Sequence, residues 1–272
     1  MSFRHLHIVA CAPRSGTTLL HEAMVSCLQI DRHHAHELRF HLGRAGVGEL
    51  LLTKRPKDTP YVAAVLAAVP EFHVVYLLRD PRDVIVSRHG RSRDRYYTNI
   101  RVWRENQAAA REFIDHPRCL ALRYEDLVAD PDATQQRLCA QFPWLRIRHP
   151  FSRYHEHAQV SARSLQALHS VRPIGAGSVG LWRDNLARIK AQQMIHGSLS
   201  PDLIAAGYEP DERWEACLAD VVPDRAPSRY PETVGPLRRV LQRLDGRRKL
   251  WLYLRARRAA AAAAAGAAGA AP

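Results

Sequence analysis

Short apolar runs alternate with amphipathic stretches along most of this chain. Leu6-His7-Ile8-Val9-Ala10-Cys11 and Val74-Val75-Tyr76-Leu77-Leu78 are continuous enough for buried strands. The pattern predicts strands at 6–11, 51–54, 73–78 and 118–122. Helices are predicted at 17–28, 60–69, 82–89, about 94–115 and 132–142. Such alternation argues for an α/β fold, a parallel sheet with helices on both faces in a single domain, followed by a helical C-terminal extension. Residues 143–173 read as loop-rich around Phe142, Trp144, Phe151 and Tyr154, either the lining of a site or a surface loop with buried anchors. Residues 180–198 read as an amphipathic helix. Residues 236–258 read as a basic helix whose apolar members are Leu237, Val240, Leu241, Leu244, Trp251 and Leu254. Residues 259–272 are almost all Ala and Gly, and this low-complexity tail is expected to fray.

The junction after the first strand carries the first chemical signal. Pro13-Arg14-Ser15-Gly16-Thr17-Thr18 connects a strand to a helix N-terminus. A helix N-terminus offers unpaired N–H groups and partial positive charge to an oxyanion. Gly16 permits close backbone approach, Ser15, Thr17 and Thr18 add hydroxyls, and Arg14 adds a permanent cation. The phosphate loop of nucleotide triphosphatases needs G-x-x-x-x-G-K-[ST]. Here no Lys precedes the threonines, and position 11 is Cys.

A second signal closes the strand at 73–78 with Arg79-Asp80-Pro81-Arg82-Asp83. Asp80 and Pro81 suit a helix start. Arg79 falls at a strand's carboxyl end, where ligands bind in open parallel sheets. Ser87, about two helical turns later, is expected to flank the same anion.

Together these segments resemble the sulfotransferases that use 3′-phosphoadenosine 5′-phosphosulfate (PAPS), whose motifs are P-[KR]-S-G-T-[TS] and R-[DN]-P-[RK]-D-x-x-x-S. The resemblance covers roughly residues 5–210 and implies a P-loop-like catalytic domain over 1–210. A helical extension over 211–258 and the tail 259–272 then follow. It also implies that the 13–18 loop holds the phosphosulfate, and that Arg79 and Ser87 hold the 3′-phosphate. Arg123-Tyr124-Glu125-Asp126-Leu127 resembles the family's Y-E-D-L segment and implies that Tyr124 lies near the adenine. Gly177 to Arg183 resembles the late loop that closes over the nucleotide, which brings in Trp182. Leu203 to Tyr208 resembles the end of the catalytic domain.

The likeness is to bacterial-type members, closer to the heparan and tyrosylprotein branch than to cytosolic phenol enzymes. Glu37-Leu38-Arg39-Phe40 resembles the heparan-type E-V-H-F stretch, which implies Glu37 as general base. A carboxylate serves near neutrality when burial raises its pKa. His36 is the reserve, because imidazole titrates near neutrality. His33, His34 and His36 match no standard zinc set, so no metal is expected. Lys54, in Lys54-Arg55-Pro56, resembles the family's K-x-P lysine, which implies stabilisation of the sulfuryl group or protonation of the leaving oxygen. Arg14 is a clamp rather than a proton donor. Lys57 stands about where the phenol-type enzymes carry a His base.

The 272 residues suffice for one full α/β core, and the formal charge of +13 favours anionic ligands. The same charge suits a polyanion, so a polyanion-binding protein and a divergent P-loop kinase stay as alternatives. No apolar run reaches membrane-spanning length, and peripheral membrane contact is reserved for the basic C-terminal helix. The N-terminus enters the first apolar run almost at once, so no signal peptide is expected. The five scattered cysteines read as reduced thiols of a cytoplasmic protein. The acceptor is expected to be a small molecule, glycan or natural-product scaffold, not a specific nucleic acid.

Overall fold

The structure, a computed structural model, describes residues 3–43, 50–89, 92–168 and 170–269. Strand β1 (Arg4–Ala10) leads through the 11–16 loop into α1 (Thr17–Cys27). The short strand β2 (Arg32–His33), then β3 (Leu50–Lys54), α2 (Val62–Ala68) and β4 (Phe72–Leu78) follow. Next come α3 (Pro81–Ile85), a hairpin of β5 (Arg88–His89) and β6 (Ser92–Tyr96), α4 (Ile100–Ala110) and β7 (Cys119–Arg123). Helices α5 (Tyr124–Ala129), α6 (Pro131–Gln141), α7 (Tyr154–His157) and α8 (Ala162–Leu168) continue the chain. It ends in α9 (Leu186–His196), α10 (Ser200–Ala205) and α11 (Pro236–Gly269).

The main sheet has the order β2-β3-β1-β4-β7, and every pair is parallel. Side chains alternate across β1 with the period of two that a strand imposes. Leu6, Ile8 and Ala10 meet Leu20 and Met24 of α1 and Leu127 of α5, while Val9 joins Val74, Tyr76, Val65 and Trp103 on the opposite face. Both faces are therefore covered, as predicted. The chain leaves β1 for β3 on one side and returns to β4 on the other. That puts a topological switch point at the carboxyl end of β1, the usual ligand crevice of such sheets.

Several boundaries differ from the sequence reading. The helix expected over 82–89 stops at Ile85, because Val84-Ile85-Val86 is β-branched and Ser87 turns into the β5–β6 hairpin. The long helix expected at 94–115 begins only at Ile100. Tyr96-Tyr97-Thr98 favours extended backbone, and the Asn99 side chain caps α4 by accepting from Val102 N at 3.2 Å. The loop-rich stretch contains α7 and α8, and Phe142, Phe151 and Tyr154 are buried core residues. Helix α11 runs on through the described part of the alanine tail to Gly269, as alanine propagates an already nucleated helix. The start predicted at 180 is a 3₁₀ turn over 181–185, ahead of α9.

Helix α11 packs against β1 through Tyr253, whose hydroxyl is 2.7 Å from His5 Nδ1, and against the turn ahead of α2 through Gly246, which lies against Tyr61. A buried polar chain runs on from His5 through Thr53 (2.7 Å) to His7 (2.6 Å) and Asp58 (3.5 Å). Burial holds His5 well below the usual imidazole range, so it is neutral there. Among the described residues, no helix is long and apolar enough to cross a membrane.

Candidate active site

The loop after β1 is strained where it turns. Arg14 adopts φ 80° and Gly16 φ 89°, both left-handed. That region costs a non-glycine residue about 1 kcal/mol or more, so the loop holds Arg14 there against its preference. The Ser15 hydroxyl is turned inward, donating to Ala12 O at 2.8 Å beside Cys11 Sγ at 3.0 Å. It therefore braces the loop, and its side chain is not exposed to a ligand. No side chain caps α1, and no acid occupies its first turn, which leaves the positive end of the helix without a carboxylate of its own. Thr17 is buried and Thr18 half-buried.

Three segments close on this loop. Arg79 donates to the Arg14 carbonyl at 2.8 Å and also to the Ser178 carbonyl. Its guanidinium lies 4.3 Å from the centre of the Tyr124 ring, and that ring packs so closely on Gly16 that a Cβ there would overlap it. Arg14 Nε donates to Ser87 Oγ at 2.8 Å. Ser87 is thus brought to Arg14, one step from Arg79, by a loop rather than by the helix expected. Arg79 Nε is buried without a hydrogen-bond partner, a donor left over in the cluster. Burial holds Arg14 below the ordinary guanidinium value, with Arg79 adding to that.

The remaining charges of the second motif are structural. Arg82 pairs with Asp80 at 2.7 Å and Glu209 at 2.5 Å, sandwiched near the rings of Trp182 (4.0 Å) and Trp214 (4.9 Å). Asp80 also caps α3 by accepting from Arg82 N at 2.8 Å. Asp83 accepts from the N–H groups of Gly180 (2.8 Å) and Trp182 (3.0 Å), which fastens the 177–183 loop beside Arg79. The Trp182 ring itself packs with Arg82 and Trp214, and the loop reaches Arg79 through the Ser178 carbonyl. Glu125 accepts from Asp80 N at 3.0 Å, linking the Y-E-D-L segment to the Arg79 strand end.

Lys54 ends β3, in register with Ile8, and is almost fully buried. Burial lowers it to about 8, against the opposing pull of Glu22 and Glu37. Glu22 Oε1 lies 3.9 Å from Lys54 Nζ, accepts from Ser164 Oγ at 2.8 Å and is 3.2 Å from His21 Nδ1. Burial pushes the Glu22 carboxyl up, but His21, Ser164 and Lys54 outweigh it, and the group lies below its usual range. Glu22 was not singled out in the sequence. Its only signal is an acid standing among the apolar positions of an amphipathic helix.

Glu37 is exposed, so the protein alone does not provide the burial expected around a general base. Its charge acts on Lys54, Lys57 and Tyr230. Lys57 Nζ sits 5.1 Å from the Tyr230 ring and also feels Tyr97, whose ring lies 5.7 Å from the Arg14 guanidinium. Arg229 donates to the Tyr97 hydroxyl at 3.1 Å. Residues of the C-terminal extension thus wall the side of the site between Glu37 and Arg14. His34 lies beside His36, 3.3 Å from its carbonyl. Among the described residues, no three His, Cys, Asp or Glu side chains gather to hold a metal ion. Cys11, Cys27 and Cys119 are buried free thiols, Cys139 is half-buried and Cys217 exposed.

Residues 22–145 match the family described as "Sulfotransferase family". A comparison with curated protein sequences found no match. Among solved structures, the sulfotransferase domain from the curacin biosynthetic pathway is similar at 14% identity and a TM-score of 0.37, over 69% of this chain and 98% of that one. The sulfotransferase domain of the Synechococcus PCC 7002 olefin synthase is similar at 16% identity and 0.44, over 67% and 88%. A sulfotransferase from Alicyclobacillus acidocaldarius is similar at 14% identity and 0.39, over 80% and 96%. Likenesses at that level decide nothing about chemistry. The resemblance to the sulfotransferase family that the motifs carried is met again over residues 22–145, a span holding Glu22, Lys54, Arg79, Ser87 and Tyr124 but beginning after Pro13–Thr18.

Proposed function

We propose that the protein transfers a sulfuryl group from PAPS to an acceptor hydroxyl or amine. The observation that carries this reading is the convergence of Arg14, Arg79, Ser87 and Tyr124 on the uncapped start of α1, at the switch point of a parallel sheet. Two guanidiniums, a hydroxyl and an unpartnered Arg79 Nε suit a donor that carries phosphate at two places. Tyr124 supplies a flat face for its base.

On this reading, Arg79 and Ser87 take the 3′-phosphate, while Arg14, the α1 N–H groups and the Thr17 and Thr18 hydroxyls take the phosphosulfate. In transfer, the bond from sulfur to the bridging phosphate oxygen breaks and a bond to the acceptor oxygen forms. The acceptor proton passes to the Glu37 carboxylate, and adenosine 3′,5′-bisphosphate leaves. Charge spreads over the sulfuryl oxygens as in related phosphoryl transfers, and Lys54 and Arg14 stabilise it. Because Glu37 is exposed in the protein alone, acceptor binding must supply its desolvation. Glu22 keeps Lys54 charged and aimed. The acceptor is a small molecule, glycan or natural-product scaffold, and the free thiols fit a reducing compartment such as the cytoplasm.

Calorimetry with adenosine 3′,5′-bisphosphate, paired with transfer of label from PAPS to an acceptor panel, tests the reading. Tight bisphosphate binding without magnesium supports it. Preference for ATP with magnesium would instead make the chain a divergent kinase.

A further inference from the structure

Helix α11 carries an outward face that the domain does not cover. Counting 100° per residue from Leu237, the side chains of Val240, Leu241, Leu244 and Trp251 fall with it inside an arc of about 100°. All five are exposed, by 49% to 73%. The inward arc is different. Gly246 lies against Tyr61, Lys249 lies over the same ring at 4.9 Å, Tyr253 is fully buried, and Arg257 pairs with Glu71 at 3.0 Å.

The outward arc is also basic. Arg247, Arg248, Arg255 and Arg258 are exposed on or beside it, with Arg255 5.4 Å from the Trp251 ring. Residues 236–258 hold nine Lys or Arg and one acid, Asp245. Leucine and tryptophan interleaved with arginine suit the boundary between lipid headgroups and acyl chains, where apolar bodies sink and guanidiniums meet phosphate. A second copy of this face would bring like charges together, so charge complementarity selects an anionic surface.

We propose that α11 docks the protein on a membrane surface bearing anionic lipid headgroups. The docking is peripheral, with the helix lying in the interface plane. Helix α11 also packs against the Phe40–Leu42 turn, which begins three residues after Glu37, so docking holds that side of the site beside the surface.

The test is flotation of the full chain with vesicles of phosphatidylglycerol in phosphatidylcholine, against pure phosphatidylcholine, at two salt concentrations. Binding only to the anionic vesicles, weakening with salt, is expected. Arg247→Gln with Arg248→Gln is expected to weaken partition by ~10- to 30-fold, at about 1 kcal/mol for each charge near the surface. Leu241→Ser with Leu244→Ser, at exposed positions, is expected to weaken it comparably. Adenosine 3′,5′-bisphosphate affinity and thermal unfolding serve as folding controls for each variant. Failure to float with either vesicle would overturn the proposal. So would unchanged partition in the leucine variant, or a concentration-dependent dimer that the leucine substitutions dissolve.

Discussion

Arg14 Nε donates to Ser87 Oγ at 2.8 Å, joining two sequence motifs 73 residues apart through their side chains. Arg79 completes the junction from the other direction by donating to the Arg14 carbonyl. The two cations are therefore mechanically linked, and a ligand that moves one moves the other. Bringing two guanidiniums together is unfavourable on its own, and an anion between them relieves that repulsion.

Ser87→Ala removes one hydrogen bond and leaves both cations. It is expected to weaken adenosine 3′,5′-bisphosphate binding by about 10-fold, the size of a single hydrogen bond to a charged group. Arg79→Ala removes a charged fork and both of its carbonyl contacts, and is expected to cost ~100-fold or more. Calorimetry on both variants decides. Unchanged affinity in Arg79→Ala would remove it from the donor site.

Lys54 titrates at about 8 in the folded protein, below its ordinary 10.5. The folded state then holds fewer protons than the unfolded chain between those values. The stability tied to this group is complete above pH 10.5 and is lost as pH falls through about 8. The dependence of activity expected from the proposed mechanism has the opposite sign, because the ammonium assigned there to the sulfuryl oxygens disappears above about 8. A kcat/KM profile with an alkaline limb near pH 8 is expected, and Lys54→Arg should flatten it. A limb unchanged in Lys54→Arg would belong to another group.

Glu22 and Glu37 both act on Lys54 but differ in setting, one buried and one exposed. Glu37→Gln is expected to leave bisphosphate affinity within about twofold while lowering kcat by 10²- to 10⁴-fold, the range of general-base removal. Glu22→Gln is expected to move the alkaline limb downward by about one unit, through loss of an opposite charge near Lys54. The pH profile separates the two roles. A kcat collapse in Glu22→Gln with an unmoved limb would transfer the base assignment to Glu22.

Gly16 is required twice over, by φ 89° and by the Tyr124 ring against it. Gly16→Ala adds backbone strain of about 1–2 kcal/mol and pushes the ring away from Arg79. Bisphosphate affinity and the unfolding midpoint should both fall. A variant that loses neither would show that the loop relaxes freely.

The alternation of strands and helices was legible because buried parallel strands read as continuous apolar runs, and the Arg14 and Arg79 positions followed from strand ends. Local propensity hid the rest. Val84-Ile85-Val86 could continue a helix on paper, yet its side chains are spent on the core and the chain turns at Ser87. Glu22 was hidden because its partners Lys54 and Ser164 are remote in sequence, and only tertiary packing makes a buried acid tolerable. The walls from Tyr97, Arg229 and Tyr230 come from the β6–α4 connection and the C-terminal extension, where no periodicity points toward the site.

Asn99 ties that extension to the rest of the domain. Its oxygen accepts from Val102 N, and its fully buried amide donates to the half-buried carbonyls of Tyr230 (2.9 Å) and Pro231 (3.1 Å). Asn99→Ala removes a helix cap and the amide's hydrogen bond to the Tyr230 carbonyl, while the Pro231 carbonyl keeps Arg101 Nε at 3.0 Å. A loss of about 2 kcal/mol is expected, from ~1 for the cap and ~1 for the lost hydrogen bond to Tyr230. Denaturant melts with an unchanged m-value measure it. Tyr230 also stands against Lys57, so loosening this tie should raise the acceptor KM while donor affinity holds. A variant equally weakened toward both substrates would mean that Asn99 supports the whole crevice and not the acceptor wall alone.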